Sequence, residues 1–71
     1  MAAATKHLML EHARIEAGLT KSGLARKAEM QAGMIGWIES GRFTPYDAQL
    51  EKIANALDWQ GDPSDLLKEV D

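Results

Sequence analysis

The sequence predicts an all-α fold, a compact bundle of short helices built around one tightly joined helical pair, and three observations predict it. Between Thr20 and Gly41 two apolar stripes run at helical spacing on either side of a turn: Leu24, Ala25 and Ala28, then Ile35 and Ile38 with Met30 leading in and Met34 beside them. Helix stops and starts punctuate the rest, with glycines at 18 and 41 and the start signals Thr44-Pro45 and Asp62-Pro63. The chain's 71 residues, 45% of them apolar, make one domain whose small core must be filled economically by helix packing.

Taken in order, the opening MAAAT (residues 1–5) is small and featureless and is expected to fray, leaving residues 6–71 as the single domain. A first helix is expected from about Lys6 to Ala17, with Leu10, Ala13 and Ala17 inward and Leu8 or Met9 completing the stripe. Gly18 stops it, because glycine takes the left-handed conformation at no steric cost. Thr20 is a natural N-cap for a helix from Lys21 to about Ala28, its hydroxyl accepting from a first-turn N–H. Gly23 inside that helix costs it roughly 0.8 to 1 kcal/mol relative to alanine. The small Ala25 lets the two helices of the pair approach where they cross.

The second helix of the pair runs from about Gln31 to Ser40, with Gly41 as its stop. Thr44 at the cap, Pro45 at the first helical position and Asp47 three residues past the cap then start a helix with Leu50, Ile53, Ala54 and Leu57 inside, ended by Trp59 and Gly61. Asp62-Pro63-Ser64-Asp65 repeats the signal for a last helix carrying Leu66, Leu67 and Val70, which is too short to be stable alone.

These pieces resemble a known family. AGLT at 17–20, LA at 24–25, IESGR at 38–42, Pro45 and IANAL at 53–57, in that order and spacing, are similar to the Cro and phage-repressor (XRE-like) type of helix-turn-helix DNA-binding domain over residues 8–67. The resemblance implies a lambda-repressor-like bundle of five short helices. It also implies a transcriptional regulator whose second motif helix lies in the major groove of double-stranded DNA.

The net charge of −3 argues against that role at first sight, because phosphate contacts supply most of the affinity of a DNA-binding protein. Its distribution changes the argument. Residues 1–42 carry six basic and four acidic side chains, a balance of +2, whereas the remainder carries two basic and seven acidic ones, a balance of −5. Only the half containing the helical pair could face phosphate.

The resemblance then assigns roles. An arginine one position after the inward Ala13 pairs in the family with the glutamate of the IESG stretch, which implies a structural ion pair between Arg14 and Glu39. Lys21 places a cation where it opposes the helix macrodipole, which is best tolerated if that end approaches a phosphate, and the family's usual glutamine there touches the DNA backbone. Lys21, Lys27 and Arg42, with the backbone near Phe43 and Thr44, are the expected phosphate contacts, and Arg26 is a weaker one.

Two departures affect the turn itself. Glu29 stands where the family has a left-handed glycine, at a strain of about 1 kcal/mol, and Gln31 replaces the usual serine or threonine cap.

The positions that read bases in the family are here Gln31, Ala32, Gly33, Gly36 and Trp37. Glutamine can pair with the N6 and N7 edge of adenine, alanine can touch a thymine methyl, and the glycines offer only backbone. Gly33 and Gly36 also expose a strip that another surface could approach closely. Trp37 is open to three readings: an anchor for a protein partner, a stacking or methyl-contacting group on DNA, or a ring folded over Met34 as core.

The expected function is a sequence-specific DNA-binding transcriptional regulator, working as a homodimer in the cytoplasm on an operator of two half-sites. The alternative is a protein–protein interaction module that docks a partner helix on the Gly33, Gly36 and Trp37 surface.

Other classes find little support. With no cysteine there is no disulfide framework or thiolate zinc site, and His7 and His12, five apart, are badly spaced as metal ligands on one helical face. Neither histidine sits in a catalytic or metal motif, so neither an enzyme nor any cofactor, metal or small-molecule ligand is implied. No apolar run approaches the roughly eighteen residues of a membrane span, and MAAATKHLML is too polar for a secretion signal.

Overall fold

A computed structural model describes residues 7–70, so the expected fraying of residues 1–5 lies outside the described residues. The chain runs through β1 (His7–Leu8), α1 (Met9–Glu16), α2 (Lys21–Lys27), α3 (Ala32–Glu39), α4 (Asp47–Ala56), a 3-10 helix (Pro63–Leu67) and β2 (Glu69–Val70). The architecture is mostly helical, but the expected count of five α-helices is not met. Among the described residues there are four, with a 3-10 helix in place of the fifth and a small two-stranded sheet.

The sheet accounts for two of the differences. β1 and β2 pair antiparallel, His7 opposite Val70 and Leu8 opposite Glu69, and the Met9 N–H donates to the Lys68 carbonyl at 2.8 Å. The first helix therefore starts at Met9 rather than near Lys6, because the residues before it are extended. The last helix keeps its expected start, with Asp62 accepting from the Ser64 N–H at 2.9 Å, but its bonds span three residues and Lys68 is already extended. Leu66 is fully buried, whereas Val70 leaves the helical path to pair with His7. So short a segment gains more from ladder bonds to the first strand than from another unsupported helical turn.

All four α-helices end in the same way. In each, a residue in the left-handed region closes the helix with a pair of backbone bonds reaching back over three and five residues, the Schellman arrangement. After α1 and α3 that residue is Gly18 (φ 75°) or Gly41 (φ 82°). After α2 it is Glu29 (φ 61°), and after α4 it is Asp58 (φ 57°), not Trp59 or Gly61. Asp58 sits there because the bond from the Trp59 N–H to the Ala54 carbonyl (2.9 Å) turns the half-buried Trp59 back onto the core. The N-terminus of α4 also differs: Tyr46, not Thr44, is the cap, and its N–H is satisfied by the Gln49 side-chain oxygen at 2.9 Å. Pro45 is buried ahead of the helix instead of opening it.

The core joins every helix: Leu10 from α1, Leu24 and Ala25 from α2, Ile35 and Ile38 from α3, Leu50, Ile53 and Ala54 from α4, and Leu66, with Ala28 at the turn. Ala17 does not face inward as its spacing suggests. It is exposed because α1 stops at Glu16 and the chain turns there, and Arg14 is the buried residue instead.

Candidate nucleic-acid interface

The geometry of the helical pair rests on the α2 cap and the turn. Thr20 Oγ1 accepts from the Gly23 N–H at 2.9 Å, which fixes the start of α2, and Glu29 then turns the chain toward Met30 and Gln31. Ile35 and Ile38 bury the inner side of α3 against Leu24, Ala25 and Ala28. The opposite side is left to solvent. Gln31, Ala32, Gly33, Trp37 and Ser40 are exposed and Gly36 is half-buried.

Gln31 occupies the N-cap position of α3 with extended backbone, and its side chain makes no capping bond. Its amide therefore remains available to an outside partner. Trp37 is 49% exposed, and its ring lies back along its own helix, 3.8 Å from where a Cβ on Gly33 would stand. Of the three readings of Trp37, burial as core is not what the structure shows. Gly36 has a different neighbour, the Lys21 side chain, whose Cδ lies 3.8 Å from the corresponding Cβ position.

Glu39, the only carboxylate on α3, is turned away from this face. It receives Arg14 Nε at 2.8 Å and Nη2 at 3.3 Å, while Nη1 of the same guanidinium donates to the Leu19 carbonyl at 2.9 Å. The two side chains are only 10% and 5% exposed. The pair ties α1 to the end of α3 and keeps a negative charge off the solvent side of the helix.

Beyond α3, the N–H groups of Arg42 and Phe43 both donate to the Trp37 carbonyl, at 2.8 and 3.2 Å, so this loop is fixed to the helix end. Arg42 and Thr44 are exposed, and Phe43 is half-buried against the core. The structure therefore gathers Lys21, the Gln31–Trp37 face and the Arg42–Thr44 loop around α3. Lys27 is separate. It stands at the other end of α2, where it lines a groove with Lys52 and Asn55 of α4. Arg26 is exposed on α2.

Two residues of this region were not singled out by the sequence. Ser40 is exposed at the end of α3, its Oγ donating to the Trp37 carbonyl at 3.1 Å. Tyr46 is 73% exposed, its ring edge-on to Phe43 with centroids 6.4 Å apart. The available signal was the pair of aromatics three apart around Pro45.

His7 of β1 hydrogen-bonds Glu11 of α1 at 2.8 Å, and His12 stands 3.5 Å from Glu16 on the exposed side of α1. Among the described residues no cluster of three or more metal-binding side chains occurs, and no helix is long and apolar enough to cross a membrane.

A family model described as a helix-turn-helix domain matches residues 9–67, from the first residue of α1 to the last of the 3-10 helix. The chain belongs to this helix-turn-helix family. It is a family of the XRE and Cro kind, whose members are in general DNA-binding regulators and typically not enzymes. No curated protein and no solved structure matches the chain. In this helix-turn-helix protein α2 and α3 are the two motif helices, and α3 is the second of them.

Proposed function

We propose that the protein is a sequence-specific transcriptional regulator of the Cro and repressor type, which inserts α3 into the major groove and acts in the cytoplasm as a homodimer on two half-sites. The observation that carries this reading is the solvent face of α3. It bears no carboxylate, since Glu39 is held inward by Arg14, and cationic residues flank it at Lys21 and Arg42. A groove-reading helix needs that arrangement, because an unpaired carboxylate there would meet phosphate repulsion.

In this reading Gln31 reads a base edge, Ala32, Gly33, Gly36 and Trp37 form the apolar floor against the groove, and Arg42 with the Phe43–Thr44 backbone holds phosphate. Lys27 belongs at most to the periphery, given its place beside α4. A second reading, a protein-docking module, is favoured by one observation: the middle of the α3 face offers two glycines and a half-exposed tryptophan but no polar side chain.

Titration of labelled random duplex DNA at several salt concentrations separates the two. A DNA-binding protein loses affinity steeply as salt rises, and Arg42→Ala lowers affinity similarly on every sequence and flattens the salt slope by about one unit. Absence of binding even at low salt removes the regulator reading and leaves the docking module.

A further inference from the structure

Lys21 belongs to α2, yet its side chain lies on α3. Its Cδ is 3.8 Å from the point where a Cβ would project from Gly36, so the aliphatic stem lies against α3 beside a position that carries no side chain. A Cβ alone at 36 would make only an ordinary contact with the stem, but the γ carbons of a branched residue would reach into the space the stem occupies. Among the described residues no carboxylate pairs with the Lys21 ammonium, and the residue is exposed.

The α3 face beneath it is short of base-reading groups. Between Gln31 at the start and Ser40 at the end, its outward residues are Ala32, Gly33, Gly36 and Trp37. None of the first three carries a side-chain hydrogen-bonding group, and the Trp37 ring lies back toward Gly33. A donor brought in from α2 would fill that gap.

We infer that Lys21 is a base-reading residue of the interface, its ammonium carried past Gly36 to donate to the O6 and N7 acceptors of a guanine, so that the specificity of α3 is partly supplied by its neighbouring helix. This deepens the DNA-binding reading and rests on it. Guanine is the chemistry that fits, because it presents two adjacent acceptors in the major groove while a lysine ammonium has only donors. Gly36 is then a positioning residue that keeps the route open.

The experiment is selection of binding sites from a randomised duplex library with the whole protein, comparing wild type with Lys21→Ala and Gly36→Val. Each variant is first checked for cooperative unfolding, and the wild-type consensus is then titrated with single-base replacements. The expected result is one G·C position in each half-site whose preference, about 10- to 100-fold in the wild type, is lost in Lys21→Ala while the other preferences remain. Gly36→Val, with Lys21 still present, loses the same position. If instead Lys21→Ala weakens every sequence equally, flattens the salt slope and leaves the consensus intact, the residue is a phosphate contact and the inference is overturned. If the wild type enriches no sequence and shows no salt-dependent binding to duplex, the DNA-binding reading fails as a whole, a result distinct from the failure of Lys21 alone.

Discussion

Arg14 of α1 and Glu39 of α3, 25 residues apart in sequence, meet through an Nε–Oε2 contact of 2.8 Å in a site where both side chains are at least nine-tenths buried. The guanidinium also holds the Leu19 carbonyl, so a single side chain organises the end of α1, the entry to α2 and the end of α3. Removing either partner leaves a buried charge uncompensated. Arg14→Ala and Glu39→Ala are each expected to lower unfolding free energy by about 3 to 5 kcal/mol, whereas the double replacement Arg14→Met with Glu39→Leu loses less than either single change. Urea denaturation of the four proteins checks this, and a double variant as unstable as the sum of the singles refutes it.

The two non-glycine residues in left-handed backbone, Glu29 and Asp58, hold strain that glycine would not. Glu29→Gly and Asp58→Gly should each stabilise the protein by about 0.5 to 1 kcal/mol, the relief of strain being partly offset by the greater freedom of glycine in the unfolded chain. Thermal unfolding at fixed pH measures it. A loss of stability at position 29 would show that the Glu29 side chain contributes more than its backbone strain removes.

The helical glycines differ in what surrounds them. A Cβ on Gly33 or Gly36 would meet its nearest neighbour at 3.8 Å, an ordinary contact, so Gly33→Ala and Gly36→Ala are each expected to gain about 0.5 to 1 kcal/mol of stability. On Gly23 the same atom would stand 3.1 Å from Thr20 Oγ1, the oxygen that caps the helix. Gly23→Ala therefore gains less than either of the other two, because part of the propensity is spent on shifting the cap. Side-by-side denaturation of the three variants ranks them. In the DNA-binding reading Gly33→Ala also weakens operator binding, since the added methyl stands where the groove wall would approach.

A pH prediction follows from the start of the 3-10 helix. Hydrogen bonds from the Ser64 backbone and hydroxyl hold the Asp62 carboxyl below its ordinary value of 3.8. A depressed carboxyl contributes stability that is present above the unfolded pKa and lost as pH falls through the folded one. Asp62→Asn keeps an acceptor for the Ser64 N–H without the titration, so its stability should fall less steeply than that of the wild type below about pH 4. Denaturation midpoints of both proteins between neutral and acidic pH decide the matter.

The sequence by itself determined the helical pair, the inward stripes of α2, α3 and most of α4, and the caps at Thr20 and Asp62, because periodicity and capping are set within one or two turns of chain. The left-handed Glu29 was legible only through the family resemblance, since Glu29 stands where the family has its left-handed glycine. Tertiary structure decided the rest. Whether Val70 continues a helix or pairs with His7 depends on a partner more than sixty residues away, and its apolar character suits both outcomes. Asp58 closes α4 because Trp59 is drawn back to the core, and Ala17 is left exposed because α1 stops at Glu16 and the chain turns there. At the candidate interface, residue types named Lys21 and Lys27 alike as cations of one helix. Only the packing of α2 on α3 brought the stem of the first beside Gly36 and left the second beside α4, since where a long side chain delivers its charge is set by the surfaces its stem lies against.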